Sequence, residues 1–249
     1  MKRGSGKKIN SFPAIIFWVC LWQIAAGLFG NGLLLPGPVQ VARCLFSLAR
    51  TAAFWQTTFV SIGRILLGVV SATALGVILA VLCVRFRLLE ILIAPMMTAM
   101  QATPVASFTI LVLIWVDRNF VPVLICGMMV LPVIFSSVST GIRLTDPQLL
   151  EMVKVYKLSA LRTLQRIYVP AVLPVFRTAC SNALGLGWKA GIAAEVLTVP
   201  KTSIGRMISE SKLYLLTEEL FAWTLTVVVL SLLLQKLMQR ILAGRETHA

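Results

Sequence analysis

The sequence has few of the residues that enzymes use for acid, base or metal chemistry. Its 249 residues include a single histidine, His248, and only nine aspartates and glutamates. One imidazole next to the end of the chain cannot build a His-based metal site or a catalytic triad, and no DxxxD or HExxH arrangement occurs. We therefore expect neither a catalytic nor a metal site, and an integral membrane enzyme is the weakest alternative.

Paired cysteines and a phosphate-binding loop are also missing. No CxxC occurs among the five cysteines, which we interpret as small apolar packing residues. GSGKK at 4–8 superficially resembles a phosphate loop, but such a loop needs a glycine where Met1 stands and Ser or Thr where Lys8 stands. The chain has no recognisable ATPase, so we expect no cofactor in it and an energy source in a partner or an ion gradient.

Apolar residues dominate what is present. Hydrophobic residues make up 58% of the chain and charged residues 13%, about half the share of a globular protein. The net charge is +14, but the cations lie between apolar runs, a pattern that fits lipid headgroups and cytoplasmic loops better than nucleic acid. The composition indicates an integral membrane protein of the all-α class.

Six segments are long and apolar enough to span a membrane, which takes about 20 residues. They are 12–29, read as an uncleaved first helix, 60–84, 91–116, 120–141, 172–198 and 220–241. With the N-terminus inside, fourteen Lys and Arg residues fall in inner segments and six in outer ones. This asymmetry predicts that both termini are cytoplasmic.

The loop at about 143–170 is a polar insert between two of these spans. Asp146 can cap a helix that has Pro147 in its first turn and runs to about Tyr156. Ser159 can cap a second helix, with Pro170 and then Pro174 at the entry to the fifth span. The loop thus predicts two short amphipathic helices on the inner membrane surface. An ordinary basic loop and a docking element for a cytoplasmic partner are equally compatible with it.

Glu151, Ser159 with an apolar and basic helix after it, and the two prolines occur in an order that resembles a known motif. It is similar to the EAA loop of permease subunits of binding-protein-dependent ABC importers, in which E-A-A-x-x-x-G precedes an apolar stretch ending in proline. In that family the loop docks into a groove of the ATPase. Met152 and Val153 replace the alanines, and Lys157 stands at the glycine position, where a left-handed turn would cost lysine roughly 1 kcal/mol or more.

Further segments resemble the nitrate, sulfonate and taurine branch of these permeases, in the same order along most of the chain. They are LLLPGPVQV (33–41), SIGRILLGVVSATALGVILAVL (61–82), Glu90 with Pro95, TPVAS around Pro104 with the run to Trp115, NALGLGWKAGIAAEVL (182–197) and KTSIGRMI (201–208).

The resemblance implies a multi-pass permease of a bacterial inner membrane, one domain over 1–249 of the type I importer kind. It implies a homodimer surrounded by lipid, two ABC ATPases that hold ATP and magnesium, and an external binding protein that delivers a small solute. Docking residues would be Glu151, Lys154, Lys157, Ser159, Leu161 and Arg162. A secondary transporter or channel is the alternative, although no convincing internal repeat is present.

Polar residues within the spans are candidates for the translocation path. A charge near mid-membrane costs about 2.5–3.5 kcal/mol, so Lys189 is expected to face a cavity or a partner. Lys189 and Glu195 lie about 120° apart on a helix and are poorly placed to pair. If Lys189 lines the path, an anionic or polar cargo follows; a salt bridge or snorkelling is equally possible, and Glu195 can instead sit at the outer end as a cap. Weaker path candidates are Asn182, Gln101 and Thr103, which helix contacts explain equally well.

Overall fold

The computed structural model describes residues 12–28 and 35–243, and within those ranges the chain is helical and has no strand. This confirms the all-α prediction. The helices are α1 (Phe12–Leu28), α2 (Pro38–Ala49), α3 (Ala52–Arg85), α4 (Arg87–Ala102), α5 (Val105–Val112), α6 (Val121–Arg143), α7 (Pro147–Val155), α8 (Ala160–Thr163), α9 (Val169–Thr198), α10 (Ile204–Leu213) and α11 (Thr217–Ala243).

Four stretches of helix are long and apolar enough to cross a membrane: Ala52–Arg85, Val121–Arg143, Ala160–Thr198 and Thr217–Ile241. A fifth is formed by α4 and α5 if they count as one span, but these two helices are bent by 106°. In α1, the apolar helix Ile16–Leu28 is shorter than a full span. Six spans with both termini inside therefore remain a prediction.

The predicted third span, 91–116, is broken because of Pro104. A residue before proline is pushed out of the helical region, and Thr103 has φ −75° and ψ 126°. The predicted second span, 60–84, instead begins at Ala52, where Thr51 Oγ1 accepts a hydrogen bond of 3.3 Å from the Phe54 amide. Gln56, Thr57 and Thr58 are polar, so the apolar run in the sequence begins only after them.

The core lies where α3, α6 and α9 pack together. Ile65, Ile134 and Trp188, one from each helix, are fully buried there. A Cβ at Gly187 would lie 2.9 Å from Val130 Cγ2, and one at Gly191 would lie 2.8 Å from Ile65 Cγ1. Glycine at these two positions lets α9 approach its neighbours closely, which fixes the position of the face of α9 described below.

The predicted separation between the second short loop helix and the fifth span was wrong. α8 runs through a π-helical turn, Leu164–Tyr168, directly into α9. Pro170 has no N–H to donate to the carbonyl four residues earlier, and the π-helical turn lies directly before it. The helix from Ala160 to Thr198 is therefore one continuous element.

Candidate coupling loop and translocation face

The first helix of the loop at 143–170, hereafter the coupling loop, begins as the sequence predicts. Asp146 Oδ1 accepts a hydrogen bond of 2.8 Å from the Gln148 amide, and Pro147 is the first residue of α7. This satisfies one of the free amides at the helix start and places a negative charge beside the positive end of the helix dipole. α7 ends at Val155, one residue before the predicted boundary.

Lys157 adopts the left-handed conformation that glycine favours, with φ of 49°. The Leu158 amide donates to the Val153 carbonyl at 3.1 Å and the Tyr156 amide to the Met152 carbonyl at 2.9 Å. The bond from residue 158 to residue 153 across a left-handed residue is that of a Schellman cap. The turn of the EAA-type loop is thus present at Lys157, and the chain tolerates its conformational cost.

Lys157→Gly is expected to stabilise this cap by about 1 kcal/mol, because the left-handed conformation costs lysine about 1–2 kcal/mol and glycine's unfolded-state freedom offsets about 0.5–1. Hydrogen exchange of the amides at 156–158 would slow about fivefold. Lys157→Ala is the matched control, since it removes the charge and keeps the Cβ, and its exchange should not slow. Equal slowing in both variants would contradict the conformational explanation.

The other predicted docking residues lie on the surface of the coupling loop. Glu151, Ser159, Leu161 and Arg162 are exposed, while the side chain of Lys154 lies outside the described residues. Ser159 precedes α8 in extended conformation but its hydroxyl caps no amide. These four side chains and that of Lys157 form an accessible surface that carries both charge signs and apolar area.

An ion pair connects the coupling loop to α4. Arg143 Nη2 lies 2.6 Å from Glu90 Oε1. Arg143 is the last residue of α6, and Glu90 lies in the first turn of α4. A displacement of the coupling loop would therefore reach α4 directly. Glu90 belongs to a segment that resembles the family, but its partner could not be predicted, because Arg143 lies on a separate helix and the pair leaves no local pattern.

One face of α9 is left uncovered by the rest of the chain. The exposed residues recur at helical spacing and form the path face: Asn182, Leu186, Lys189, Ala193 and Leu197. Among the described residues, no carboxylate lies within ion-pair distance of Lys189. The structure thus brings Lys189 and Asn182 onto the same open face.

The bent pair α4–α5 lies beside this face. Val112 of α5 packs in one small cluster with Ala190 and Ala194 of α9, next to Lys189 along that helix. Gln101 is exposed just before the bend, and Thr103 is half-buried at it with its Oγ1 donating to the Ala99 carbonyl at 2.7 Å. The bend therefore presents polar groups at a break in an otherwise apolar helix.

Glu195 does not share the path face. It is fully buried, and its Oε1 accepts a hydrogen bond of 2.6 Å from Arg64 Nη1. Its Oε2 accepts from Ser61 Oγ at 2.8 Å and from the Gly205 amide at 3.2 Å, while Ser61 Oγ accepts from the Ile204 amide at 2.9 Å. We call Ser61, Arg64, Glu195 and the amides of 204 and 205 the outer anchor.

The outer anchor holds the start of α10 against α3 and α9. Its carboxylate meets the positive end of the α10 dipole, a favourable arrangement. A Cβ at Gly205 would overlap the backbone of Glu195 and Val196, so only glycine fits at this crossing. Glu195 had been predicted as a path residue or an outer cap. The hydrogen bonds of Glu195 match the predicted cap. Its burial gives no support to a role in the translocation path.

The turn after α9 is strained. Val199 and Thr202 have φ of 48° and 51°, a region that β-branched residues rarely enter. Nearby, the Lys201 amide donates to Asn119 Oδ1 at 3.1 Å. Hydrogen bonds from the Asn119 backbone and side chain hold the pKa of Asp117 below its usual value. The loop at 117–119 and the turn after α9 are therefore tied to each other, which fixes this turn in place.

The described residues thus form a bundle of apolar helices, at least four of them long enough to cross a membrane, with a polar loop between α6 and α9. Residues 72–246 match the family of binding-protein-dependent transport system inner membrane components. The chain belongs to this family. It is accordingly a permease of the ABC importers, it lies in the inner membrane, and its family is one of transporters and not of enzymes.

Several curated proteins are similar to the chain over most of its length. A Bacillus subtilis permease protein named for aliphatic sulfonates transport, SsuC, is 24% identical over 89% of this chain and 80% of its own length. The taurine transport system permease protein TauC of Escherichia coli is 23% identical over 86% and 80%. The riboflavin transport system permease protein RibX of Chloroflexus aurantiacus is 24% identical over 91% and 87%.

Proposed function

We propose that two copies of this chain form the translocation path for a small anionic or polar solute, with six spans each and both termini in the cytoplasm. The observation that carries the proposal is the path face, on which Lys189 and Asn182 are exposed among the apolar residues Leu186, Ala193 and Leu197. Two such faces opposed across a dimer axis would enclose a polar path. A fixed cation in a low-dielectric passage attracts negative charge.

The names of similar permeases support this cargo class. Taurine and aliphatic sulfonates carry a sulfonate group, and the permeases named for them are similar to most of this chain. A permease named for riboflavin supports the broader alternative of a polar uncharged cargo. Gln101 and Thr103 at the bend of α4 and α5 would add hydrogen-bonding groups for either cargo.

The coupling loop is the proposed docking surface for a separate ATPase subunit, which would hold ATP and magnesium. ATP binding would draw two ATPases together and displace both coupling loops. The ion pair of Arg143 with Glu90 would carry the displacement to α4, and the continuous helix would carry it to α9. The path would then open outward and receive cargo from a binding protein, so this chain supplies the path and the hinge.

Glu151→Lys is expected to lower the amount of ATPase that copurifies with the permease about tenfold, because reversing a charge at a docking surface creates like-charge contacts. The complete transporter would be expressed with its ATPase and binding protein, purified through the permease, and assayed for bound ATPase and for uptake of taurine, an alkanesulfonate and riboflavin. Glu210→Lys makes the same charge change on α10, remote from the coupling loop, and should bind ATPase normally.

Normal copurification and uptake in Glu151→Lys would contradict docking at the coupling loop. Uptake that continues without the ATPase would favour a secondary transporter. Labelling of a cysteine placed at position 155 only from outside intact cells would overturn the proposed orientation.

A further inference from the structure

An apolar groove of about 540 Å³ opens between the ends of α3, α6 and α9 that meet the coupling loop. Val77, Val81 and Arg85 line it from α3, and Tyr168, Val172 and Phe176 from the π-helical turn and α9. Its volume lies in the range of about 300–1,000 Å³ of ligand pockets. This groove belongs to neither the path face nor the outer anchor.

The groove has the chemistry of a lipid site. Every lining residue except Arg85 is an aliphatic or aromatic side chain, so its interior offers almost nothing to a polar solute. Val81 and Val169 are 45% and 47% exposed, which leaves the groove open at the side. From Val77 to Arg85 it extends about 12 Å along α3, less than half of the roughly 30 Å hydrocarbon core. One acyl chain of a single leaflet fits that depth.

The mouth of the groove carries a positive charge. Arg85 ends α3, is exposed, and lies 5.9 Å from the centre of the Phe86 ring. No carboxylate of the described residues lies within ion-pair distance of Arg85. Basic pockets between membrane helices on the cytoplasmic side bind anionic headgroups, at about 1 kcal/mol per cation near the surface.

The groove lies nearer to the coupling loop than the path face does. Val172 and Phe176 are ten and six residues before Asn182, which places them about 80° and 120° from it around the helix. A lipid in the groove would therefore lie on the coupling-loop side of the path face. Two lining residues, Leu164 and Tyr168, belong to the π-helical turn, so an occupant would contact the junction between the coupling loop and α9.

We propose that the groove binds one anionic phospholipid of the cytoplasmic leaflet, with an acyl chain between α3 and α9 and the phosphate at Arg85. The assignment to that leaflet rests on the orientation given under Proposed function. The binding itself rests only on the lining and on the cation.

Native mass spectrometry of the delipidated transporter complex in detergent tests the site. We expect phosphatidylglycerol to bind about fivefold tighter than phosphatidylcholine of the same chains, the factor that corresponds to one cation. Arg85→Gln should remove this preference. Arg87→Gln, which removes an exposed cation that does not line the groove, should keep it. Val172→Trp should fill the groove and weaken the binding of both lipids.

Equal binding of the two lipids by the unchanged protein, or an equal loss of preference in both arginine variants, would overturn the site. A Val172→Trp variant that binds lipid normally but loses its dimer would show that a second copy occupies the groove instead. The experiment measures bound lipid by mass and uses no transport, so failure of the ATPase or cargo proposals would not change its result. Labelling of position 85 only from outside intact cells would contradict the assignment to the cytoplasmic leaflet.

Discussion

Replacing Glu195 by glutamine should destabilise the permease by about 3–5 kcal/mol, because the change leaves Arg64 charged at a nearly buried position without its counter-ion. The Arg64 side chain is 11% exposed and the Glu195 side chain 0%. The same carboxylate also accepts from Ser61 and the Gly205 amide, so the start of α10 would loosen with it. Thermal unfolding of the purified protein in detergent would show a clearly lower midpoint.

Glu210→Gln is the matched control for this prediction. Glu210 lies 2.7 Å from Arg206 in an i,i+4 pair whose side chains are 36% and 42% exposed, and such pairs contribute about 0.3–0.5 kcal/mol. Adding Arg64→Met to Glu195→Gln should restore part of the lost stability, since no uncompensated charge then remains. If Glu195→Gln and Glu210→Gln unfold at the same temperature, the outer anchor does not stabilise the fold.

Lys189→Met should lower uptake of an anionic cargo at least about tenfold, because a cation in a water-poor passage raises the local concentration of anions by factors of about 10–1,000. The variant should assemble with its ATPase as the unchanged protein does, since Lys189 is exposed on the path face and has no described ion-pair partner. Uptake of an alkanesulfonate, which is an anion at neutral pH, in cells with the complete transporter measures the effect.

Lys212→Met removes the same charge from an exposed position at the end of α10 and should leave uptake unchanged. Lys189→Arg keeps the charge and should retain most of the activity. Undiminished uptake in Lys189→Met would remove this residue from the path. A loss of uptake accompanied by loss of the dimer would instead assign Lys189 to the subunit contact.

Local signals in the sequence were sufficient for most of the long apolar helices and for the start of the coupling loop. Asp146 followed by Pro147 specifies a helix start within a few residues, and the structure has its cap there. Lys157 shows the limit of such signals. Its residue type argues against a left-handed turn, and the glycine of the family motif at this position left open whether the turn would form or differ.

Long-range contacts could not be predicted from one sequence. Arg64 and Ser61 are more than 130 positions from Glu195, and nothing near any of the three indicates which groups will meet. The π-helical turn was missed for a related reason. Pro170 was interpreted as a boundary, whereas the packing of α9 carries the helix past it. Pro104 indicated a turn next to Thr103, but the sequence prediction kept the whole segment 91–116 as a single span.

The unbroken helix from Ala160 to Thr198 has the proportions of an unequal lever. Its closest approaches to α3 and α6, at Gly187 and Gly191, lie nearer to Thr198 than to Ala160, so a fulcrum at Gly187 leaves an arm of about 40 Å towards the coupling loop and an arm of about 17 Å towards Thr198. A tilt about that point moves the two ends in opposite directions. The Thr198 end would then move less than half as far as the coupling-loop end, with more than twice the force.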